Sequence, residues 1–286
     1  MELIREAAQL RAAADRLRAD DRSVGLVPTM GALHAGHASL IRRAREETDR
    51  VVVTIFVNPL QFGEGEDLAR YPRDEPRDVA ACEAAGVDLV WAPTVEEVFP
   101  LGASLARPAP GPVGDLYEGA ARPGHFAGVL QVVHRLFDVV GPSTAYFGEK
   151  DAQQLFLVRR MVDEEPSLGL RIVGCPTLRE PDGLALSSRN ASLGTEERIQ
   201  AACLFLALTE AAERARMGER DANVLVAVMA REIGATPLAK LDYAAVVDDA
   251  TFEPVGRMVG PARAIVAARL PGARLIDNLL LPEPEA

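Results

Sequence analysis

Val24-Gly25-Leu26-Val27-Pro28-Thr29-Met30-Gly31-Ala32-Leu33-His34-Ala35-Gly36-His37 is the stretch from which the rest of the chain can be read. An apolar run, Val24 to Val27, stops at Pro28 and opens into a turn holding two glycines. Leu40, Ile41 and Ala44 then recur at helical spacing. A strand, a glycine-bearing loop and a helix in that order present backbone N–H groups and a positive helix end to an anion. His34 and His37, three apart, point the same way near the helix start. Gly36 between them omits a side chain where a phosphate or planar base has to come close. An H-x-x-H pair can also be an accident of composition, a pair of metal ligands or a polar helix cap, and for two arbitrary histidines accident is the first reading. Only four histidines occur in the chain, and two of them fall at a strand end, where open α/β sheets bind ligands. Zinc would need a third and usually a fourth ligand, and no Cys or acidic residue completes such a set nearby.

The 286 residues, 48% of them hydrophobic, suffice for one large domain and a smaller one. A net charge of −11 argues against non-specific nucleic-acid or membrane-surface binding, so an anionic substrate must be met by a local cluster of cations and dipoles. Cys82, Cys175 and Cys203 are far apart and form no C-x-x-C, which reads as buried thiols in a reducing cytoplasm. No signal peptide or run of the length needed for a membrane span is visible.

Glu2 to Arg18 is predicted to form an amphipathic helix, and Val51 to Val57 a strand covered on both faces. That strand ends in Asn58-Pro59-Leu60-Gln61, which reads either as a turn initiator or as polar groups aimed at a ligand. A helix from about Glu75 to Ala85 leads to a strand over Val87–Trp91. Residues 101–124 lack periodicity and read as a functional loop, leading to Arg122, His125 and a helix from Val129 to Val140. His134 inside that helix reads as structural. Thr144 to Gly148 is a further strand, followed by Glu149, Lys150 and Asp151 and a helix reaching Val162. The Lys150 ammonium is mobile enough to follow a phosphate, and Asp151 can hold Mg²⁺ or a ribose. Asp182-Gly183 marks a hairpin turn, with Ser187, Ser188 and Arg189 behind it offering hydroxyls and a guanidinium to phosphates. Helices over Glu196–Met217 and Asp221–Ile233 precede short strands near 241–247, 264–268 and 275–278. Strands alternating with helices indicate an α/β fold with a parallel sheet.

The run Val27 to His37 resembles the signature of the pantothenate synthetases, within the nucleotidyltransferase group that carries an H-x-G-H adenylation motif. Asn58 to Phe62, Gly148 to Gln154 and Leu186 to Asn190 are similar to that family's later motifs, in order over almost the whole chain. Ala152 departs from the pattern, since many members have an aromatic residue there. The resemblance implies a Rossmann-like parallel-sheet domain over 1–176 and a smaller α+β lid domain over 177–286. It implies that (R)-pantoate condenses with β-alanine through a pantoyl adenylate, with ATP as substrate, Mg²⁺ as cofactor and a cytoplasmic homodimer as the assembly. It places ATP on Met30, Gly31, Ala32, Leu33, His34, Ala35, Gly36, His37, Gly148, Glu149, Lys150, Asp151, Leu178, Leu186, Ser187, Ser188 and Arg189. It places pantoate and β-alanine on Asn58, Gln61, Arg122, His125 and Gln154. His34, His37 and Lys150 are implied as catalytic, with Asp151 as the metal contact. Asp242-Tyr243 and Asp277-Asn278 resemble the end of the family's smaller domain. A different H-x-G-H adenylyltransferase acting on another small acid, a non-catalytic nucleotide-binding module and a metallohydrolase are the competing readings.

Overall fold

Apolar runs long enough to be buried on both faces become the centre of a parallel sheet, and the segments with helical spacing cover it. The computed structural model describes residues 1–63, 67–69 and 71–282. The chain divides into two compact units, Met1–Glu149 with Gln153–Pro176 and Lys150–Ala152 with Thr177–Ala286.

The first unit runs β1 (Glu2–Ile4), α1 (Ala7–Leu17), β2 (Val24–Thr29), α2 (Ala35–Glu47), β3 (Arg50–Ile55), α3 (Glu75–Ala84), β4 (Leu89–Trp91), α4 (Val95–Val98), α5 (Glu118–Ala121), α6 (His125–Val140), β5 (Ser143–Gly148), α7 (Ala152–Glu164) and β6 (Leu170–Cys175). Its six strands lie in the order β1-β4-β3-β2-β5-β6, every neighbouring pair parallel. The chain steps from β2 out to β3 and β4, then returns to lay β5 on the other side of β2. The junction of β2 and β5 is therefore the switch point, outside whose carboxyl ends such sheets bind ligands.

Val51, Val52 and Val53 are fully buried, as a doubly covered strand requires. Trp91 is also buried, and its indole N–H donates to the Arg5 carbonyl at 3.1 Å. The Tyr146 hydroxyl donates to the Glu47 carboxylate at 3.0 Å; burial and that carboxylate push the phenol well above its usual range. All three cysteines are free and buried, and desolvation pushes the Cys82 thiol to about 12.

Two strands depart from the sequence expectation. Glu2–Ile4 pairs with Leu89–Trp91 instead of starting α1, because one apolar residue facing inward is enough for an edge strand. Leu170–Cys175 is the other edge, a strand not expected from the sequence, paired along its length with β5. Helix α6 starts at His125, one turn earlier than expected. Residues 101–124 are not uniformly irregular: Pro112–Asp115 forms a 3₁₀ turn ahead of α5.

In the second unit, α8 (Thr195–Gln200), α9 (Cys203–Arg216) and α10 (Ala222–Gly234) accompany β7 (Lys240–Asp248), β8 (Ala262–Arg269) and β9 (Arg274–Leu280), an antiparallel sheet in the order β7-β8-β9. Leu204, Leu208, Leu225 and Met229 from the helices share one core with Ala264 and Val266 of β8. The single helix expected over 196–217 is broken between α8 and α9.

Helix α6 meets the turn after β3 so closely that Gly128 has no room for a side chain: a Cβ there would lie 2.1 Å from the Leu60 carbonyl oxygen. Gly128→Ala is expected to cost about 1–3 kcal/mol through overpacking, seen as a lower midpoint in thermal unfolding. An unchanged midpoint would show that the turn yields freely.

Candidate active site

At the end of β2 the Thr29 hydroxyl donates to the Thr54 carbonyl at 2.6 Å and accepts from the Gly31 N–H at 3.1 Å. The backbone then turns left-handed at Gly31 (φ 76°) and Ala32 (φ 52°). Glycine adopts that region freely, whereas alanine there costs about 1–2 kcal/mol. Asp78 on α3 holds the turn: its Oδ2 accepts from the Ala32 N–H and its Oδ1 from the Leu33 N–H, both at 2.8 Å. Asp78 is 2% exposed. The sequence reading missed it. The signal available was its place four residues before Cys82 on the buried stripe of α3, where a carboxylate demands partners.

His34 is the N-cap of α2, its Nδ1 accepting from the Gly36 N–H at 3.1 Å. His37 reaches back, its Nδ1 accepting from the His34 N–H at 3.4 Å. The ring centroids lie 4.2 Å apart. The polar-cap reading of the pair is thus realised, and it has a chemical corollary. A neutral imidazole that accepts at Nδ1 carries its proton on Nε2, so both rings are Nε2–H donors.

The turn after β3 is similarly specified. Asn58, 1% exposed, accepts from the Leu60 N–H through Oδ1 at 3.2 Å. Its Nδ2 donates to the Gly128 carbonyl and to Gln61 Oε1, each at 3.1 Å. Gln61 Nε2 donates to Met30 Sδ at 2.9 Å. The Gln61 backbone carbonyl accepts from Arg122 Nη2 at 3.2 Å and faces His125 Nδ1 at 2.8 Å. Arg122 Nη1 lies 3.0 Å from His125 Nε2. Since a guanidinium only donates, His125 accepts at Nε2 and donates from Nδ1. Met30, Asn58, Gln61, Arg122 and His125 therefore form one connected polar cluster.

Of the two adjacent glutamines on α7, Gln153 is structural. Its Nε2 donates to the Val113 and Leu116 carbonyls at 2.8 and 2.9 Å, and its Oε1 accepts from the Glu118 N–H at 3.1 Å, which folds residues 113–118. Gln154 is half-buried and stands outside that network. His134 is paired with Glu165 at 2.9 Å, the structural role expected of it. A Cβ at Gly148 would meet nothing within 4 Å among the described residues, so neither packing nor a positive φ calls for glycine there.

In the second unit, Lys150 Nζ lies 3.5 Å from Asp151 Oδ1. The Leu178 carbonyl accepts from the Leu186 N–H at 2.9 Å, and Arg179 bridges to Ala185, so the turn at Asp182-Gly183 is the tip of a minimal hairpin. Ser187 caps the 3₁₀ turn Ser188–Ser192, its Oγ accepting from the Arg189 N–H at 3.3 Å. Asn190 Nδ2 ties the turn to the Ala185 carbonyl at 3.1 Å. Asp277, 3% exposed, receives Arg179 through both guanidinium nitrogens at 2.6 and 3.0 Å. Burial pushes its carboxyl up while those two bonds pull against the shift.

The Pantoate-beta-alanine ligase family model matches residues 2–280. Pantothenate synthetase of Rubrobacter xylanophilus is 50% identical over 287 residues, covering 98% of each chain. That of Thermus thermophilus is 51% identical over 279 residues, covering 98% of this chain and 99% of its own. The crystal structure of pantothenate synthetase from Thermus thermophilus matches with a TM-score of 0.92 at 50% identity, covering 99% of this chain and 100% of that one. Pantoate-beta-alanine ligase from Francisella tularensis, crystallised in complex with beta-gamma ATP and beta-alanine, matches with a TM-score of 0.79 at 32% identity, over 98% and 97% of the two chains.

Removing the Asp78 carboxylate leaves two part-buried N–H groups without that acceptor, at about 1–3 kcal/mol each. Asp78→Ala is expected to lower stability by about 2–4 kcal/mol and to release the start of α2. Denaturant unfolding measures the first effect. Hydrogen exchange at Ala32 and Leu33 measures the second, and protection equal to wild type would refute the clamp.

Proposed function

We infer how the residues above carry out the reaction of the pantoate-beta-alanine ligase family, to which this chain belongs. The protein is an ATP-using ligase that joins pantoate to β-alanine. No helix among the described residues is long and apolar enough to cross a membrane.

In the first half-reaction a pantoate carboxylate oxygen attacks the α-phosphorus of ATP. The bond to the bridging oxygen breaks and its electron pair leaves with pyrophosphate, giving pantoyl adenylate. Charge on the phosphate oxygens is then the main obstacle, and fixed donors lower it more effectively than water does. The observation that carries this assignment is the paired cap of α2. Nδ1 of His34 and of His37 accepts a backbone N–H, which puts the proton of each ring on Nε2 as a donor for phosphate at a positive helix end. In the second unit, Lys150 and Arg189 offer cationic donors and Ser187 and Ser188 offer hydroxyls, groups of the kind a triphosphate takes. The open space over Gly148 suits close approach of the nucleotide.

The cluster around Gln61 suits a hydroxy acid. Amides and an arginine fix orientation by hydrogen bonding, without the array of cations a phosphorylated acceptor would call for. Asn58 sets the orientation of the Gln61 amide, and Arg122 with His125 holds its backbone. Gln154 adds a second amide. In the second half-reaction the neutral β-alanine amine attacks the acyl carbonyl, the C–O bond to AMP breaks, and the amine gives up a proton as the amide forms.

Mg²⁺ is compatible with this donor set, in which the Asp151 carboxylate would be its protein contact. When bound it neutralises phosphate charge. A homodimer in the cytoplasm completes the reading; the free, buried thiols suit a reducing compartment.

Pyrophosphate release from ATP and Mg²⁺ with D-pantoate alone, and AMP with pantothenate only once β-alanine is added, is the expected pattern. His37→Ala is expected to slow the pantoate-dependent step by about 10²–10³-fold while circular dichroism stays unchanged. Release that does not depend on pantoate would defeat the assignment.

A further inference from the structure

We propose that Asn278 is a positioning residue for Lys150, fixing the backbone origin of that cation through its carbonyl. The inference rests on the role assigned to Lys150 above. Asn278 Nδ2 donates to the Lys150 carbonyl at 2.9 Å, joining residues 128 apart in the chain. On the other side of the amide, Oδ1 accepts from Arg263 Nη1 at 2.6 Å. That contact allows only one amide orientation. Reversal would put oxygen against oxygen at Lys150 and an NH₂ group against a guanidinium at Arg263.

The backbone of Asn278 is gripped as well. Its N–H donates to Asp277 Oδ1 at 2.8 Å and its carbonyl accepts from Arg179 Nη2 at 3.3 Å. The bidentate Arg179–Asp277 pair is itself seated, with Nη1 on the Gly183 carbonyl at 3.0 Å and the guanidinium 4.3 Å over the Phe205 ring. Arg263 is anchored in turn, its Nε donating to Asp249 at 2.7 Å. A buried ion pair is a poor device for stability alone, because desolvation offsets most of its attraction. Here the ions hold an asparagine whose amide donates to the carbonyl of a lysine with a mostly buried side chain, 16% exposed. A lysine has four rotatable carbons, so an error at its Cα is multiplied at Nζ. Misplacement on the order of 1 Å is enough to lose about 10²-fold in rate.

Asn278→Asp keeps the shape and the acceptor for Arg263 but replaces the donor to Lys150 with an oxygen that repels its carbonyl. Asn278→Ser removes the same donor without adding charge, and is read in the same way where the Asp variant does not fold. Both are expected to reduce kcat for pantoate-dependent pyrophosphate release by about 10–100-fold. KM for pantoate and for β-alanine should move less than about threefold, and the unfolding midpoint should stay within a few degrees. In a Lys150→Ala background, followed by single turnover, Asn278→Ser should change the residual rate less than about twofold, because the two act as one unit. A folded Asn278→Ser enzyme with wild-type kcat, or losses that simply multiply in the double variant, overturns the inference and leaves the role of Lys150 standing. Wild-type rate in Lys150→Ala overturns both.

Discussion

A single buried carboxylate decides whether the end of β2 can become the start of α2. The chain has to reverse within a few residues, and it does so through two consecutive left-handed positions, one of them an alanine. That conformation is unfavourable for a side-chain-bearing residue, and it turns two N–H groups away from any ladder. Asp78 accepts both. With the turn held, the first N–H groups of α2 and both imidazoles acquire fixed positions at the switch point of the sheet. Thr29 supplies the remaining constraint, binding back across the strands to Thr54.

Histidine as cap accords with the phosphate contact proposed for the far side of its ring. Serine, threonine, aspartate and asparagine are better helix caps. A serine cap keeps its O–H to donate but holds it on a short side chain close to the backbone, and an aspartate cap adds a negative charge there. Imidazole has two nitrogens on opposite sides of one ring, so accepting from the backbone at one fixes the other as a donor. Capping and the ligand binding proposed for these rings use two ends of the same ring, so the two readings of H-x-x-H are compatible.

Much of this was legible in the sequence because burial leaves a plain pattern. The β-branched run at 51–57 and the glycine-bearing turn before His34 read correctly as a parallel strand and a strand–helix junction. Edge strands were not legible, since β1 and β6 are each paired on one side only and carry mixed exposure. The break between α8 and α9 falls at Ala201-Ala202, where no glycine or proline announces it. Contacts across long separations were the other gap. Nothing local distinguishes Gln153, committed to backbone groups of residues 113–118, from Gln154 beside it. Asp78 and Asn278 act on positions 45 and 128 residues away, which a periodicity argument does not reach.

The basic residues carry one more constraint that bears on mechanism. Of the 31 Lys and Arg residues only Lys150 and Lys240 are lysine, so this chain meets nearly every need for positive charge with arginine. Arginine is the better partner for a fixed carboxylate, and Arg179 on Asp277 and Arg198 on Asp182 use its fork in that way. A planar fork is less suited to a group whose geometry changes during reaction, because two of its bonds must break and re-form together. An ammonium is a compact charge with donors that rotate, able to follow an oxygen as charge moves onto it. Its weakness is the flexible stem, which spreads the charge over many positions. Rigidity then has to come from the backbone end, and the asparagine, arginine and aspartate gathered behind Lys150 provide it there.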